Sequence, residues 1–526
     1  LGGDVDATGT SGRDVWTGSK FVPVGNLTNK FTGSFDGAGH NISNLNVKGT
    51  DNVGLFGYTD TTAVIEDVGL VSGVVTGVNT VGTLVGLNSG NISGSYAENT
   101  NVTGMGSSVS GSGGLVGNNA GTIVGSYATG VVTGMEDVGG LVGINQKNIS
   151  SSYAFVNMND AISKAGGLVG TNNSTATITT SYAGGTVAGS GNIAGGLVGS
   201  NAGTVSYSNA VGIVDIGQGG TNAGGLVGSN EAGGSISNTY ATGGVKGEGG
   251  NAGGLVGSNK TGATIADSYA TGDVSGSTAV GELVGNNSGT ITNSYWNLEL
   301  GQTGVGEGSV GGAQGLTAEK MLVSSNFNNF TFTATPGAAG WVVVNANGSL
   351  QTAASDVAAA TSPMLASEYS TTIYDGHQLQ LMVMALGADY ELSNDIDLSA
   401  TSNGSDVWGG ITQPAPSGFI PVGKTNTTAF TGNFNGKGYA IKKLNISRTD
   451  NYVGLFGYAS GSNISNVAIV NYLDVNNPDV KEKVMGDNYV GALVGYADSN
   501  SSISYSYTDN FVAGYQTYVR QRGDDI

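Results

Sequence analysis

The stretch Gly139-Gly140-Leu141-Val142-Gly143-Ile144-Asn145 decides the fold, because the chain repeats it with small changes from Leu84 to Leu283. Consecutive copies lie 26 to 31 residues apart. A steady period of this size is typical of a solenoid, in which each repeat forms one coil and stacks on the next. The leucines that share one place in the repeat are Leu84, Leu115, Leu141, Leu168, Leu197, Leu226, Leu255 and Leu283.

Two further columns accompany these leucines. An asparagine follows each leucine by four residues, at Asn88, Asn119, Asn145, Asn172, Asn201, Asn230, Asn259 and Asn287. A tyrosine follows by twelve or fourteen residues, at Tyr96, Tyr127, Tyr153, Tyr182, Tyr240, Tyr269 and Tyr295. Asn209 takes the place of the tyrosine once, and the choice between twelve and fourteen indicates a two-residue turn insertion.

The length of the repeat favours one β-architecture over two others. Alternating runs such as Asn41-Ile42-Ser43-Asn44-Leu45-Asn46-Val47 have the period of two that half-buried strands require. Such strands occur in propellers, up-and-down barrels and parallel β-helices. A propeller blade needs about 40 residues, whereas these repeats suit one coil of three short strands. We expect those strands near Leu-Val-Gly, Ser-Tyr-Ala and the following Val.

The asparagine column supports the parallel coil. Equivalent residues of successive coils stack about 4.8 Å apart, so their amides can form a hydrogen-bonded ladder. Leucine and asparagine share parity, and we therefore expect both columns to point inward. The glycines that flank Leu-Val are expected to permit tight corners and positive φ. The tyrosine column has two interpretations: facing outward it is a possible aromatic binding stripe for sugars, and facing inward it is core.

A duplicated module lies outside the repeat array. Asp14-Val15-Trp16 returns as Asp406-Val407-Trp408, and Val53-Gly54-Leu55-Phe56-Gly57-Tyr58 returns as Val453-Gly454-Leu455-Phe456-Gly457-Tyr458. The sequence thus predicts three parts. Residues 1–300 form a β-helix module with repeats over about 80–300; residues 301–387 form a connector with short helices and irregular strands; residues 388–526 form a second, shorter β-helix module with a C-terminal tail.

Composition restricts the possible partners and stabilising devices. The chain has 526 residues, of which 94 are glycine, and its net charge is −20. Such a charge repels nucleic acid and anionic lipid surfaces. Cysteine is absent, which rules out disulfides and Cys-based metal sites. No stretch approaches the roughly 20 apolar residues of a membrane helix, so we expect no membrane insertion. The opening Leu1-Gly2-Gly3-Asp4 is not a signal peptide, and we expect a mature or trimmed chain.

The pattern Gly-Gly-Leu-Val-Gly-x-Asn, Ile-x-x-Ser-Tyr-Ala-x-Gly and Val-x-Gly resembles the GLUG motif of large bacterial surface proteins, including filamentous-haemagglutinin-like adhesins. The resemblance covers about residues 80–300. It implies a right-handed parallel β-helix, export to the cell surface and roles in adhesion or matrix, with no catalytic residues. GLUG repeats also accompany some IgA-cleaving metalloproteases. Their His-Glu-x-x-His site is absent from this sequence, so that activity does not carry over.

Candidate chemical groups are few. The two histidines, His40 and His377, lie in different modules, so no triad or zinc site can be assembled from sequence. The pairs Asp4/Asp6 and Asp395/Asp397 have the alternation that a Ca²⁺ or glycosidase site would need. Because both pairs occupy the same place in the duplicated module, a shared turn or capping role is the stronger interpretation. The sequence predicts no cofactor and no metal site.

The sequence therefore predicts an extracellular, rod-like, non-catalytic protein that acts as a cell-surface adhesin or a matrix element. Its expected partners are glycans or proteins of a host or neighbouring cell. One alternative is a subunit of an extracellular filament, a head-to-tail homo-oligomer formed by stacking of β-helix ends. A second alternative is a carbohydrate-active β-helix enzyme, which would need clustered acids and a basic group on one face.

Overall fold

The structure is a computed structural model that describes residues 1–12, 14–16, 21–106, 110–158, 163–189, 191–301, 303–403, 406–408, 417–470 and 483–514. The chain divides into two compact units, Leu1–Gly315 and Leu316–Ile526, which are described separately. The part of the predicted C-terminal tail from residue 515 onward lies outside the described residues.

Unit 1 is a parallel β-solenoid, which confirms the predicted all-β parallel β-helix. Each coil pairs in register with the next, as where Val142 lies opposite Val169 and Asn145 opposite Asn172. The sheet formed by the Leu-Val-Gly-x-Asn segments is called the ladder sheet here. Its strands are Phe56–Tyr58, Val85–Asn88, Val116–Asn119, Val142–Asn145, Val169–Asn172, Val198–Asn201, Val227–Asn230, Val256–Asn259, Val284–Asn287 and Val305–Gly308.

Two sheets of shorter strands come directly before and directly after the ladder strand in each coil. The sheet that follows it in each coil contains Ser34–Asp36, Val64–Glu66, Asn91–Ser93, Thr122–Val124, Asn148–Ser150, Thr177–Thr179, Thr204–Ser206, Ser235–Ser237, Thr264–Ala266 and Thr290–Thr292. The sheet that precedes it contains Val81–Gly82, Gly111–Gly113, Asp137–Gly139, Lys164–Gly166, Ile193–Gly195, Asn222–Gly224, Asn251–Gly253 and Val280–Gly281.

The widest sheet carries the tyrosines and is called the tyrosine sheet. Its strands are Val5–Asp6, Asn41–Ser43, Asn46–Lys48, Gly69–Val71, Val74–Gly77, Tyr96–Gly104, Tyr127–Thr133, Tyr153–Met158, Tyr182–Ala183, Val187–Gly189, Asn209–Ala210, Val214–Ile216, Tyr240–Ala241, Val245–Gly247, Tyr269–Ala270, Val274–Gly276, Ser294–Asn297 and Ala313–Leu316. The 3-10 helices of unit 1 are Thr8–Ser11, Asp14–Trp16 and Leu298–Leu300.

The coil has more strand segments than the expected three. A coil such as 164–189 adds strands at Lys164–Gly166 and Thr177–Thr179 to those of the ladder and tyrosine sheets. The prediction missed them because each is three residues long, too short to show a period of its own in sequence.

The glycines of the Gly-Gly-Leu-Val-Gly segment serve a different purpose from the one expected. Gly140 and Gly143 are not among the residues with positive φ. A Cβ on Gly140 would lie 2.0 Å from the carbonyl oxygen of Gly167, and one on Gly143 would lie 2.4 Å from the amide nitrogen of Ser112. These glycines are required because neighbouring backbones approach too closely for a side chain, so the expectation of positive φ at this position is wrong.

Unit 2 also consists mainly of parallel strands. Its larger sheets contain Thr372–Ile373, Tyr390–Leu392, Phe434–Asn435, Asn463–Ser465 and Ser502–Ser504; Ile396–Asp397, Ala440–Lys442, Ala468–Val470 and Tyr507–Asp509; and Ser417–Gly418, Ile446–Ser447, Val484–Gly486 and Val512–Gly514. Two pairs complete it, Phe456–Ala459 with Val494–Ala497 and Trp341–Val342 with Met364–Leu365. The last pair and that between Ser417–Gly418 and Ile446–Ser447 are antiparallel.

Short helices occur where the sequence predicts them. Thr317 caps the helix Ala318–Met321, and Asp375 caps the helix Gly376–Leu381 by accepting from the Gln378 amide. The second helix ends at Leu381. Other helical segments of unit 2 are Ala400–Asn403 and the 3-10 helices Ser324–Asn326, Ala366–Glu368 and Met382–Met384.

Among the residues that the structure describes, no helix has the length and apolar character needed to cross a membrane.

Candidate functional site: stacked side-chain columns and an outer groove

The eight asparagines of the repeat form one buried, hydrogen-bonded column. Each Nδ2 donates to the Oδ1 of the next asparagine at 2.8 to 2.9 Å. Their exposed fractions are between 0 and 3%. The same side chain also holds its own turn, because Gly90 N donates to Asn88 Oδ1 and Asn88 Nδ2 donates to Gly90 O. We call this column the asparagine ladder; it fixes the register of successive coils, since a slip by one residue would leave buried amides unpaired.

Hydrogen-bonding groups also stand at both ends of the ladder. The Thr59 hydroxyl donates to Asn88 Oδ1 at 2.7 Å, and Asn287 Nδ2 donates to the Ser309 carbonyl at 2.6 Å. Because the amides all point the same way, their bonds polarise one another in a low dielectric. The leucines beside them complete the core: all eight, from Leu84 to Leu283, are 0% exposed.

The tyrosine column is only partly available to a ligand. Rings of consecutive coils stack with centroids 4.8 to 5.1 Å apart, in the pairs Tyr96 with Tyr127, Tyr127 with Tyr153, Tyr153 with Tyr182, and Tyr240 with Tyr269. The first three tyrosines are half-buried, but Tyr182 is 8% exposed and Tyr240, Tyr269 and Tyr295 are 0 to 1% exposed. A stripe of exposed rings along the whole column is therefore wrong, because the last four rings present no face to solvent.

Where the column has no tyrosine, two asparagines form hydrogen bonds with tyrosine hydroxyls of other coils. Asn209 Nδ2 donates to the Tyr240 hydroxyl at 3.2 Å, which satisfies a phenol that is otherwise buried. The Tyr96 hydroxyl donates to Asn41 Oδ1 at 2.6 Å across Gly69. A Cβ on Gly69 would lie 2.4 Å from Cζ of Tyr96, so only glycine leaves room for that ring.

The carboxylate pairs of the duplicated module bond to neighbouring backbone. Asp4 accepts from the Asn41 amide at 2.9 Å, and Asp395 accepts from the Ala440 amide at 2.8 Å, the matching position in the second copy. Asp397 accepts from the Ser399 amide at 2.8 Å. The Asn41 amide bond and the Lys442 side chain are the leading causes that lower the pKa of Asp4 and of Asp395, respectively. Asp397 thus holds a turn, as the stronger interpretation expects, whereas Asp4 and Asp395 link their strands to the neighbouring coil.

A buried ionic cluster surrounds His377, and sequence reasoning did not find it. His377 Nδ1 lies 3.1 Å from Glu368 Oε2, and Nε2 lies 2.9 Å from Asp406 Oδ1. Burial lowers the pKa of the imidazole, but the charge and hydrogen bond of Asp406, followed by those of Glu368, outweigh it and raise the pKa well above 6.5. The two carboxylates thus favour the protonated, cationic form of His377, and the Trp408 ring lies 5.4 Å from the imidazole. The cluster lies at the start of the helix Gly376–Leu381.

An open groove of about 530 Å³ lies on the largest sheet of unit 2. Its polar lining includes Asp389, Glu391, Asn433 and Asn463. Asp389 accepts from Asn433 Nδ2 at 2.8 Å, and Glu391 pairs with Lys437 at 2.9 Å. Both carboxylates therefore already hold neighbouring strands together. Among the described residues, no group of three or more His, Asp or Glu side chains is arranged to hold a metal ion.

Comparisons with known proteins find the same repeat in other sequences. The family described as the GLUG motif matches residues 219–246 and 248–275. The chain is similar to halomucin of Haloquadratum walsbyi, with 42% identity over 115 residues, which is 20% of this chain and 1% of that protein. A putative immunoglobulin A1 protease from Bacteroides ovatus is 19% identical over 61% of this chain and 78% of that chain. Its TM-score of 0.25 is too low to relate the two proteins further. The chain therefore contains GLUG-motif repeats, and these repeats form coils of the parallel β-solenoid of unit 1.

Proposed function

We propose that this chain is a non-catalytic structural segment of an extracellular surface protein, with coils that display surfaces for adhesion or matrix contact. The observation that carries the proposal is the asparagine ladder, in which amides from eight coils are buried and bonded to one another. A ladder of this kind fixes coil register and resists local opening, as a structural segment outside the cell requires.

One comparison supports a surface location, and the composition of the chain is compatible with it. The similarity to halomucin suggests the cell surface or the extracellular space. Cysteine is absent, so the unit keeps its structure without a disulfide that would depend on the redox state of its surroundings. The net charge of −20 keeps such a protein soluble and disfavours contacts with polyanions.

Antibody labelling of intact cells of the source organism tests the location. We expect the antibody to label unpermeabilised cells and added protease to remove the signal. Labelling that appears only after permeabilisation would contradict the proposal.

A deletion strain tests the adhesive role. Cells that lack the protein are expected to attach less to a surface or to neighbouring cells, and purified chain added in excess is expected to inhibit attachment of the parent strain. Release of reducing ends from soluble polysaccharides by the purified chain would instead favour the carbohydrate-active alternative.

A further inference from the structure

Four tyrosine rings of unit 2 form a cluster that we call the tyrosine patch: Tyr452, Tyr458, Tyr489 and Tyr496. Tyr452 and Tyr489 stack with centroids 5.0 Å apart and planes 10° apart. Tyr458 and Tyr496 lie 4.7 Å apart, and the Tyr496 ring also meets the Tyr489 ring edge-on at 5.5 Å. The four rings are one continuous aromatic surface.

The tyrosine patch is exposed, unlike the later rings of the tyrosine column. Tyr489 is 55% exposed and Tyr496 is 36% exposed, whereas Tyr240 and Tyr269 are 0% exposed. Tyr452 and Tyr458 are half-buried beneath them. A preformed surface of this kind costs little conformational entropy on binding, because neighbouring rings already hold each side chain in place.

The backbone of the tyrosine patch is an unusual place for aromatic residues. Tyr452 has φ of 60° and Tyr489 has φ of 56°, in the left-handed region that asparagine and glycine occupy more easily. A bulky residue in that region is strained, and strained residues gather at binding sites. Burial of the Tyr489 ring does not offset this strain, since that side chain is 55% exposed.

The first copy of the module shows what the same corner contains without a tyrosine patch. Val53 N donates to Thr80 O at 2.9 Å in the first copy, and Val453 N donates to Tyr489 O at 3.0 Å in unit 2. The residues that match Tyr452 and Tyr489 are therefore Asn52 and Thr80, which also have positive φ. The Thr80 hydroxyl donates to Asn52, so this corner is closed by a polar pair.

The other two rings differ between the copies as well. Tyr58 pairs with Leu87 across the ladder sheet, and Tyr458 pairs with Tyr496 at the same place in unit 2. In the first copy the Lys30 ammonium covers the Tyr58 ring at 4.6 Å from its centroid.

Phe31 N donates to Tyr58 O, and Phe430 N donates to Tyr458 O, both at 2.9 Å. The residues directly before these phenylalanines are Lys30 and Ala429, so Ala429 is the residue of unit 2 that matches Lys30. Compared with the first copy, unit 2 thus has three additional rings and lacks the lysine that covers Tyr58.

Polar groups next to the tyrosine patch define what it can bind. Asn488 Nδ2 donates to Asn451 Oδ1 at 2.9 Å, directly before the two stacked tyrosines in sequence. Asp498 accepts from the Ser460 hydroxyl at 2.6 Å, and burial together with the neighbouring Tyr496 and Asp498 raises the pKa of Tyr458, which keeps that phenol neutral. Aromatic faces beside amides and a carboxylate fit a ligand with C–H faces and many hydroxyls.

We propose that the tyrosine patch is a binding site for neutral glycan chains, with sugar C–H faces packed on the rings and hydroxyls bonded to the exposed amides of Asn451 and Asn488. Ring faces carry partial negative charge and attract the C–H groups of a sugar. An anionic glycan is disfavoured by Asp498 and by the net charge of −20. This site goes beyond the structural role proposed above, and its binding assay does not depend on where the protein is located.

The test is calorimetric titration of the full chain with cellohexaose, laminarihexaose and maltohexaose, with a heparin hexasaccharide as the anionic probe. We expect at least one neutral hexasaccharide to bind and heparin not to bind. The variant that combines Tyr452→Asn, Tyr489→Thr and Tyr496→Leu installs the residues of the first copy at each position. It is expected to weaken binding by about tenfold or more, since each stacked ring contributes a few-fold.

The matched control is Tyr505→Asn. Tyr505 is 88% exposed and has φ of 49°, so it resembles the patch residues in exposure and backbone while contributing no ring to the patch. Its removal is expected to leave affinity unchanged. The proposal is overturned if none of the neutral probes binds, if the triple variant binds as tightly as the parent while its circular dichroism is unchanged, if heparin binds more tightly than the neutral probes, or if Tyr505→Asn weakens binding equally.

Discussion

The repeat array of unit 1 and the duplicated coil of unit 2 fill the same corner in opposite ways. In unit 1 the corner after the Leu-Val-Gly segment contains a buried amide that bonds to the next amide, whereas in unit 2 the matching positions are Ala459 and Ala497. Unit 2 instead relies on individual contacts such as the ionic cluster around His377, while its tyrosine patch is a surface feature with no counterpart in the repeat array. The difference shows that one coil geometry can be held by a periodic column or by individual contacts.

Substitution of aspartate in the middle of the asparagine ladder is the strongest way to break this comparison. In Asn172→Asp a carboxylate replaces the Nδ2 that donates to Asn201 Oδ1, so two acceptors face each other in a buried site. We expect the free energy of unfolding of unit 1 to fall by about 4 kcal/mol at pH 7. Urea denaturation followed by tyrosine fluorescence measures it.

The neighbouring Asn173→Asp is the isosteric control, because that side chain is half-buried rather than enclosed. It should change stability by less than about 0.5 kcal/mol. Equal losses from the two variants would mean that the ladder does not stabilise the coils.

The ionic cluster of unit 2 gives the next largest effect, and it depends on pH. The folded pKa of His377 is raised above 6.5, so its contribution is fully present below pH 6.5 and is lost as pH rises through the folded pKa. Burial also raises the pKa of Asp375 from 3.8 to about 6. Unit 2 therefore loses further stability as pH rises from 3.8 to about 6, because the unfolded chain releases this proton first. Both pKa values are raised in the folded state, so both groups make unit 2 less stable as pH rises.

His377→Gln tests this cluster. We expect unit 2 to lose about 3 kcal/mol at pH 6, because Glu368 and Asp406 then face a neutral group. The loss should shrink toward pH 9, as hydrogen exchange of peptides from 364–408 can show. His40→Gln, at a side chain that is 39% exposed, should have little effect at either pH. An equal loss of stability at pH 6 and at pH 9 would mean that protonation of His377 does not stabilise unit 2.

Thr59→Ala makes the first copy resemble the second, since Ala459 occupies the matching place. The Thr59 hydroxyl donates to Asn88 at the start of the ladder and accepts from the Ser89 amide at 3.0 Å. We expect a loss of about 1 kcal/mol, as for one net hydrogen bond. Faster hydrogen exchange confined to peptides around residues 85–93 would show it, and exposed Thr61→Ala should leave that exchange unchanged.

Tyr452→Asn has the smallest expected effect on folding. The change removes one stacked ring but relieves a strained backbone, because asparagine adopts positive φ more readily. These two terms oppose each other, and the free energy of unfolding of unit 2 should change by less than about 1 kcal/mol. Thermal denaturation checks this, and a loss of several kcal/mol would mean that the rings are core rather than a binding surface.

The sequence contains a signal for one of these sites. Laying Asn52 beside Tyr452 and Leu87 beside Tyr496 shows that unit 2 gained aromatic residues at the duplicated corner. The cluster around His377 leaves no comparable signal, since Asp406 lies 29 residues further along the chain.

The sequence by itself determined the coil and the position of its columns. A period of 26 to 31 residues with Leu and Asn at constant offsets places equivalent residues on top of one another, because parallel coils pair in register. Tertiary structure alone decided which tyrosines are buried, why Gly140 must be glycine, and how Glu368 and Asp406 enclose His377. These depend on the spacing between neighbouring backbones and on contacts between segments that share no period, and a repeat pattern contains neither.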